Sequence, residues 1–226
     1  MISIAIDGPS GAGKSTVARK CAELFGFVYV DTGAIYRTIG LAAFKNGIDT
    51  KDASSVVAML PELDIDLRYN DCGEQRMFLN GEDVSSEIRR PEISMCASNV
   101  SAIAAVRDYL TEMQRSMAKK HDVIMDGRDI GTVILPNADV KVFLTASPEA
   151  RAQRRYKELL AKGSKIGFED VLSDMKLRDE QDINRAAAPL KAADDAVIVD
   201  TSSMNFDDSV KLVCALISEK TGIQPM

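Results

Sequence analysis

Short apolar runs of strand length recur along this chain. They are separated by stretches in which apolar residues return every three or four positions. Ile2 to Ile6, Val28 to Val30, Val123 to Met125, Val140 to Leu144 and Ala196 to Asp200 read as five buried strands. Between them, Val17, Cys21, Leu24 and Phe25 keep helical spacing, as do Val106, Leu110, Met113 and Met117, and later Phe206, Val210, Val213, Leu216 and Ile217. Strands alternating with helices predict an α/β protein in which helices cover a parallel sheet. One stretch departs from the pattern. Leu63, Ile65, Leu67 and Tyr69 alternate with Asp64, Asp66 and Arg68, Met77-Phe78-Leu79 is a second short strand, and Asn80-Gly81 is a hairpin turn signal. Residues 63–88 are therefore expected to form a small antiparallel appendage. Gly26 should close the first helix, Pro91 should open one carrying Ser94, Ser98 and Ser101, and Ser147-Pro148 should cap and open another. A further helix is expected from about Phe168 to Ala188, ended by Pro189.

At 226 residues the chain is long enough for one domain with insertions and a full core. A net charge of −6 argues against a general nucleic-acid or membrane surface, and no apolar run has membrane-spanning length. The first strand begins almost at once, so no leader segment is expected. Cys21, Cys72, Cys96 and Cys214 form no CxxC pair and read as reduced core cysteines of a cytoplasmic protein. His121, the only histidine, stands beside Lys119 and Lys120 in an expected loop, which leaves no histidine-based acid–base chemistry.

The chemistry concentrates where strands end. Gly8-Pro9-Ser10-Gly11-Ala12-Gly13-Lys14-Ser15 fits the P-loop pattern G-x-x-x-x-G-K-[ST], with Thr16 following, between an expected strand and an expected helix. Such a loop turns backbone amides onto a polyphosphate, Lys14 adds a point charge, and the Ser15 hydroxyl suits Mg²⁺. Asp31-Thr32 can cap the next helix, which carries Tyr36 and Arg37 in its first turns. Asp126-Gly127-Arg128-Asp129 leaves the third strand, where Asp126 can hold Mg²⁺ directly or through water. Arg151, Arg154 and Arg155 share one helix face before the glycine-bounded, basic segment 162–167, an arrangement that reads as a lid over phosphates or as a solvated cationic face. Arg178, Asp182 and Arg185 are expected along one stripe of the following helix.

Taken together these residues resemble the bacterial cytidylate kinase family of P-loop nucleoside monophosphate kinases. The resemblance covers nearly the whole chain. It rests on I-D-G-P-S-G-A-G-K-S at Ile6 to Ser15, D-T-G-A-I-Y-R at Asp31 to Arg37 and G-E-D-V-S-S-E-I-R at Gly81 to Arg89. D-G-R-D-I-G-T-V at Asp126 to Val133 and N-R-A-x-A-P-L at Asn184 to Leu190 complete it. Thr32 stands where some relatives carry Ser, which keeps the hydroxyl. The resemblance implies a three-layer α/β/α fold with a five-stranded parallel sheet and a single kinase domain. Its core would be 1–31, 100–147 and 168–226, its nucleoside-monophosphate insert 32–99 and its lid 148–167. It implies Mg²⁺-dependent transfer from ATP to CMP or dCMP by a monomer. Lys14, Arg128, Arg151, Arg154, Arg155 and Arg185 would be catalytic. Thr32, Tyr36, Arg37, Ser98, Arg107, Arg128, Asp129, Arg178, Asp182 and Arg185 would bind CMP, with Ser98, Arg107 and Asp129 reading the cytosine edge. A P-loop GTPase would need a guanine-reading N-K-x-D segment, and the sequence contains none. Spacing alone leaves UMP, AMP or a hydroxylated metabolite open as acceptors.

Overall fold

The computed structural model describes residues 1–161 and 163–226, so Lys162 of the expected hinge lies outside it. In chain order the elements are β1 (Ser3–Asp7), α1 (Lys14–Phe25), β2 (Val28–Asp31), α2 (Thr32–Lys45), α3 (Ala53–Met59), β3 (Ile65–Tyr69), β4 (Gln75–Leu79) and β5 (Glu82–Asp83). Then follow α4 (Pro91–Ser101), α5 (Ala104–Lys120), β6 (Val123–Gly127), β7 (Val140–Thr145), α6 (Pro148–Ala161), α7 (Phe168–Asn184), β8 (Val197–Asp200) and α8 (Phe206–Thr221). A five-stranded parallel sheet has the order β2-β6-β1-β7-β8, and β3-β4-β5 form a separate three-stranded sheet. Among the described residues no helix is long and apolar enough to cross a membrane.

The chain divides into two compact units, Met1–Tyr29 with Ala118–Met226, and Val30–Met117. In the first, the expected apolar positions of β1, β6 and β7 meet those of α1 and α8. Ile4, Ile6, Val17, Cys21, Ile124, Val142, Leu144, Val213 and Ile217 are all fully or nearly fully buried. The parallel register aligns Asp7 with Gly127 and with Phe143, and Thr145 with Asp200, so the carboxyl ends of β1, β6, β7 and β8 lie along one edge. Caps fix the helix ends as their residues dictate. Asn205 accepts from the Asp208 amide at 2.8 Å to start α8, and Gly26 closes α1 in the left-handed region.

The second unit has its own core, with Ile35, Ile39, Val56, Met77, Ile93, Val100, Val106 and Leu110 at its centre. Asp31 caps α2 by accepting from Ala34 N at 2.9 Å. The β3–β4 register pairs Ile65 with Leu79 and Leu67 with Met77, which gathers the apolar side of the hairpin on one face.

Four features differ from the sequence expectation. Helix α3 arises where no element was expected; Asp52 caps it, accepting from Ser54 N and Ser55 N, and Val56 and Met59 anchor it. After β6 the chain makes a wide turn at Ile130–Ile134, in which Ile134 N and Leu135 N donate to carbonyls five residues back. Helix α7 stops at Asn184, not Ala188, so Arg185 lies beyond its end in extended geometry, off the expected helical stripe. Its stop is tertiary: the Leu190 amide donates to Asp182 O at 2.8 Å and buries Leu190, and Pro189 bars the preceding residue from helix. Cys72 is an exposed member of the β3–β4 turn rather than a core residue, because Asn70 folds that turn by accepting from Cys72 N and Glu74 N.

Helices α2 and α4 cross where a Cβ on Gly40 would lie 2.9 Å from Ala97 N and 3.1 Å from the Cys96 Cβ. Alanine normally stabilises a mid-helix glycine site by about 1 kcal/mol. Here Gly40→Ala is expected to cost about 1–3 kcal/mol instead, because the helices must separate. Urea denaturation checks this, and an unchanged or raised midpoint would contradict it.

Candidate active site

The P-loop takes its path from the sheet. A Cβ on Gly8 would stand 1.9 Å from the Leu144 carbonyl oxygen of β7, and Gly8 has φ 145°, so only glycine lets the chain leave β1 here. The loop then runs to Gly13, which caps α1, and Lys14 and Ser15 occupy the first helical turn. Lys14 is buried and its Nζ donates to Pro9 O at 2.7 Å. Burial, reinforced by the nearby Arg128 guanidinium, pushes its ammonium down to about 7.

Asp126 lies within β6, one residue before its end, and is almost fully buried. Ser15 Oγ donates to its Oδ2 at 2.8 Å, and Tyr29 OH donates to its Oδ1 at 2.7 Å. A hydroxyl oxygen beside a carboxylate is a hard-oxygen donor set that fits Mg²⁺. Among the described residues no group of three or more His, Cys, Asp or Glu side chains could hold a metal by itself. Ser15 and Asp126 could therefore supply only part of a Mg²⁺ shell by themselves.

The carboxyl end of β6 delivers a charged cluster. Arg128 Nε donates to Asp182 Oδ2 at 2.9 Å. Arg185 Nη2 lies 3.5 Å from Asp129 Oδ1, and its Nη1 lies 4.0 Å from Asp182 Oδ1. Burial alone would raise the Asp182 carboxyl, but Arg128, Arg178 and Arg185 together hold it below the ordinary range. Asp129 and Asp182 offset the guanidinium charges of Arg128 and Arg185 inside the fold, and two such forks side by side suit an anion.

The arginines of α6 face different partners. Arg151 is buried: Nε donates to Ala146 O at 2.8 Å, Nη1 to Ser10 O at 3.0 Å, and Nη2 to Asp179 Oδ2 at 2.6 Å. Arg154 Nη1 donates to Thr201 Oγ1 at 3.1 Å and more distantly to Ala12 O at 3.4 Å. Arg155 points outward and pairs with Glu158 at 3.1 Å.

In the second unit another group forms. Arg107 is buried, donates to Ser101 O at 3.0 Å and sits 5.3 Å above the centre of the Tyr36 ring. Ser101 Oγ donates in turn to Ser98 O at 2.9 Å. Arg37 Nη2 donates to Asp31 Oδ2 at 2.9 Å, and Thr32 is buried at the start of α2.

Four residues to which the sequence reading gave no role enter this picture. Tyr29 shares Asp126 with Ser15, Asp179 holds Arg151, and Thr201 meets Ala12 O at 3.3 Å. Asp7 accepts from Ile130 N at 2.8 Å and Gly131 N at 2.7 Å, and so fixes the turn that follows Asp129. Asp7 and Thr201 sit at or just past the ends of β1 and β8, on the edge where an open α/β sheet places ligands, and that position was a sequence signal for both.

The family model for cytidylate kinase matches residues 4–219. A cytidylate kinase of Caldicellulosiruptor bescii is 47% identical over 215 residues, 95% of either chain. One of Lactobacillus johnsonii is 45% identical over 220 residues, 97% of this chain and 95% of that one. Among solved structures, an uncharacterized protein of Eubacterium ventriosum superimposes with a TM-score of 0.52 at 13% identity, over 96% of this chain and 99% of that one, a likeness of fold.

Burial, followed by the Asp129 charge among the causes that raise it, lifts the Asp7 carboxyl from 3.8 to about 6 against the two amides and Lys14 that lower it. The folded state thus binds the Asp7 proton more tightly than the unfolded chain. Its contribution to stability is complete below pH 3.8 and is lost as pH rises through about 6. The stability of wild type minus that of Asp7→Asn should therefore fall between these values. Denaturation of both proteins across that range checks it; a pH-independent difference would contradict it.

Proposed function

The chain belongs to the cytidylate kinase family, and from that premise we propose that it moves the γ-phosphate of ATP onto CMP or dCMP, giving ADP and CDP or dCDP. The observation that carries the donor half of this reading is the P-loop with Ser15 bonded to Asp126 at 2.8 Å. Gly8 to Thr16 bind the ATP phosphates, and Lys14 regains its full charge when a polyphosphate arrives. Ser15 and Asp126, the latter directly or through water, would be the protein's share of the Mg²⁺ shell. The metal, when bound, neutralises charge on the phosphate oxygens.

The acceptor roles follow the resemblance. Tyr36 lies against the CMP nucleotide, and Arg37, Arg128 and Arg185 hold its phosphate. Arg178 and Asp182 contact the ribose, and Thr32 lines the acceptor site. Ser98, Arg107 and Asp129 read the base: cytosine offers an amine donor beside N3 and O2 acceptors, which suits a carboxylate, a hydroxyl and a guanidinium. A nucleoside monophosphate is largely doubly ionised at neutral pH, since its second pKa is about 6. Its oxygen attacks the γ-phosphorus in line without a side-chain base. The work left to the protein is alignment and charge stabilisation. Residues 148–167 act as a lid that excludes water, with Arg155 closing on the ATP phosphates and Arg151 and Arg154 acting beside the P-loop.

The base reading predicts a specific pattern. If Asp129 accepts from the cytosine amine, Asp129→Ala loses a charge-assisted hydrogen bond of about 1.5–3 kcal/mol, roughly ten- to a hundredfold in kcat/KM for CMP. UMP presents a carbonyl there and should lose less or gain, so the CMP/UMP ratio collapses. Because Asp129 also faces Arg185 at 3.5 Å, a purely supporting role would lower both acceptors together. Coupled ADP-release assays with CMP, dCMP, UMP, AMP and shikimate on both proteins test this. A wild type that prefers any acceptor but CMP or dCMP would overturn the function, and an unchanged ratio would overturn the base-reading role.

A further inference from the structure

We propose that Arg151 with Asp179, and Thr201 with Arg154, are positioning residues that set the direction of the P-loop amides by holding its carbonyls from behind. The proposal rests on the reading of the P-loop as the ATP phosphate site.

A trans peptide unit is planar, with its C=O and the following N–H pointing in opposite directions. Holding one end therefore aims the other. Ser10 O accepts from Arg151 Nη1 at 3.0 Å, which aims the Gly11 N–H away from Arg151. Two residues on, Ala12 O accepts from Thr201 Oγ1 at 3.3 Å and Arg154 Nη1 at 3.4 Å, which aims the Gly13 N–H away from that pair. Drawn outward at alternate peptides, these carbonyls leave N–H groups to form the concave side, as an anion nest requires. In so glycine-rich a loop, peptides without such holders can turn a carbonyl toward the phosphates.

The holders are themselves fixed. Arg151 is 3% exposed, and its other two nitrogens donate to Ala146 O and Asp179. Thr201 is 1% exposed, and its amide donates to Thr145 O at 2.8 Å, which ties it to the end of β7. Its single hydroxyl proton is divided between Thr145 O and Ala12 O, and Arg154 supplies the second donor to Ala12 O.

Asp179 separates this role from direct phosphate contact. If Arg151 simply touched phosphate, removing the neighbouring negative charge would leave anion binding equal or tighter. If Arg151 acts through the Ser10 carbonyl, loosening its anchor weakens the cradle. The experiment measures Kd for inorganic tripolyphosphate, ATP, adenosine and CMP by calorimetry on wild type, Asp179→Asn, Thr201→Val and Thr201→Ser. Expected is about a fivefold rise in Kd for tripolyphosphate and ATP in Asp179→Asn and Thr201→Val, the size of one hydrogen bond. Adenosine and CMP should bind as in wild type, and Thr201→Ser should restore the affinity. Equal or tighter tripolyphosphate binding by Asp179→Asn would overturn the Arg151 clamp. Should Asp179→Asn fail to fold, the Thr201 pair decides, and wild-type affinity in Thr201→Val, or parallel weakening of all four ligands, overturns the proposal. A wild type that binds neither tripolyphosphate nor ATP would instead overturn the donor-site reading.

Discussion

The contact between Gly8 and the Leu144 carbonyl is the constraint on which the rest of the site depends. Parallel strands β1 and β7 come so close at this point that residue 8 has room only for a hydrogen. The chain must therefore turn out of the sheet at the end of β1, and it does so into a loop whose next regular element is α1. The groups proposed to meet the ATP phosphates then share one edge: amides from the loop, the N-terminus of α1 and Lys14 in its first turn, with Asp126 of the adjacent strand bonded to Ser15. The sheet supplies rigidity, and the loop supplies backbone donors that a side chain cannot replace.

A second constraint is electrostatic. The first unit buries several cations, and each is matched by an acid or a carbonyl. Arg128 has Asp182, Arg151 has Asp179, and Lys14 rests on Pro9 O. The matching is unequal in a way that suits the chemistry. Asp182 is held below the ordinary carboxylate range by three arginines, whereas Lys14 falls to about 7 because burial outweighs its acids. In the proposed function, Lys14 is therefore the cation that gains most from an incoming polyphosphate.

Much of this was legible in the sequence. The five strands were visible as short apolar runs because a covered parallel sheet is buried on both faces, the main helices because a period of 3.6 survives where one face is buried, and the P-loop because its chemistry fixes residue type and spacing together. Helix α3 escaped because seven residues with two buried apolar positions make a weak period; its Asp52 cap was the available signal. The end of α7 was misjudged because proline marks only the last residue at which a helix must stop. The true stop came from Leu190 N meeting Asp182 O, a tertiary contact. The roles of Asp7, Asp179 and Thr201 escaped for a related reason: each serves backbone groups or another side chain, and spacing does not reveal such roles, even where the residue, as Asp7, lies in a quoted motif. The α6 arginines were visible as a face, but the sequence could not say that two of the three turn inward to the P-loop.

The proposed function stands on direct passage of the phosphoryl group from ATP in the P-loop to the nucleoside monophosphate. The measurement that decides it follows a labelled γ-phosphorus with the purified chain, ATP and CMP. With direct passage, the label appears at the β-position of CDP, in step with ADP and only when CMP is present. Label released as inorganic phosphate at the same rate without CMP, or CDP formed without the label, would contradict direct passage.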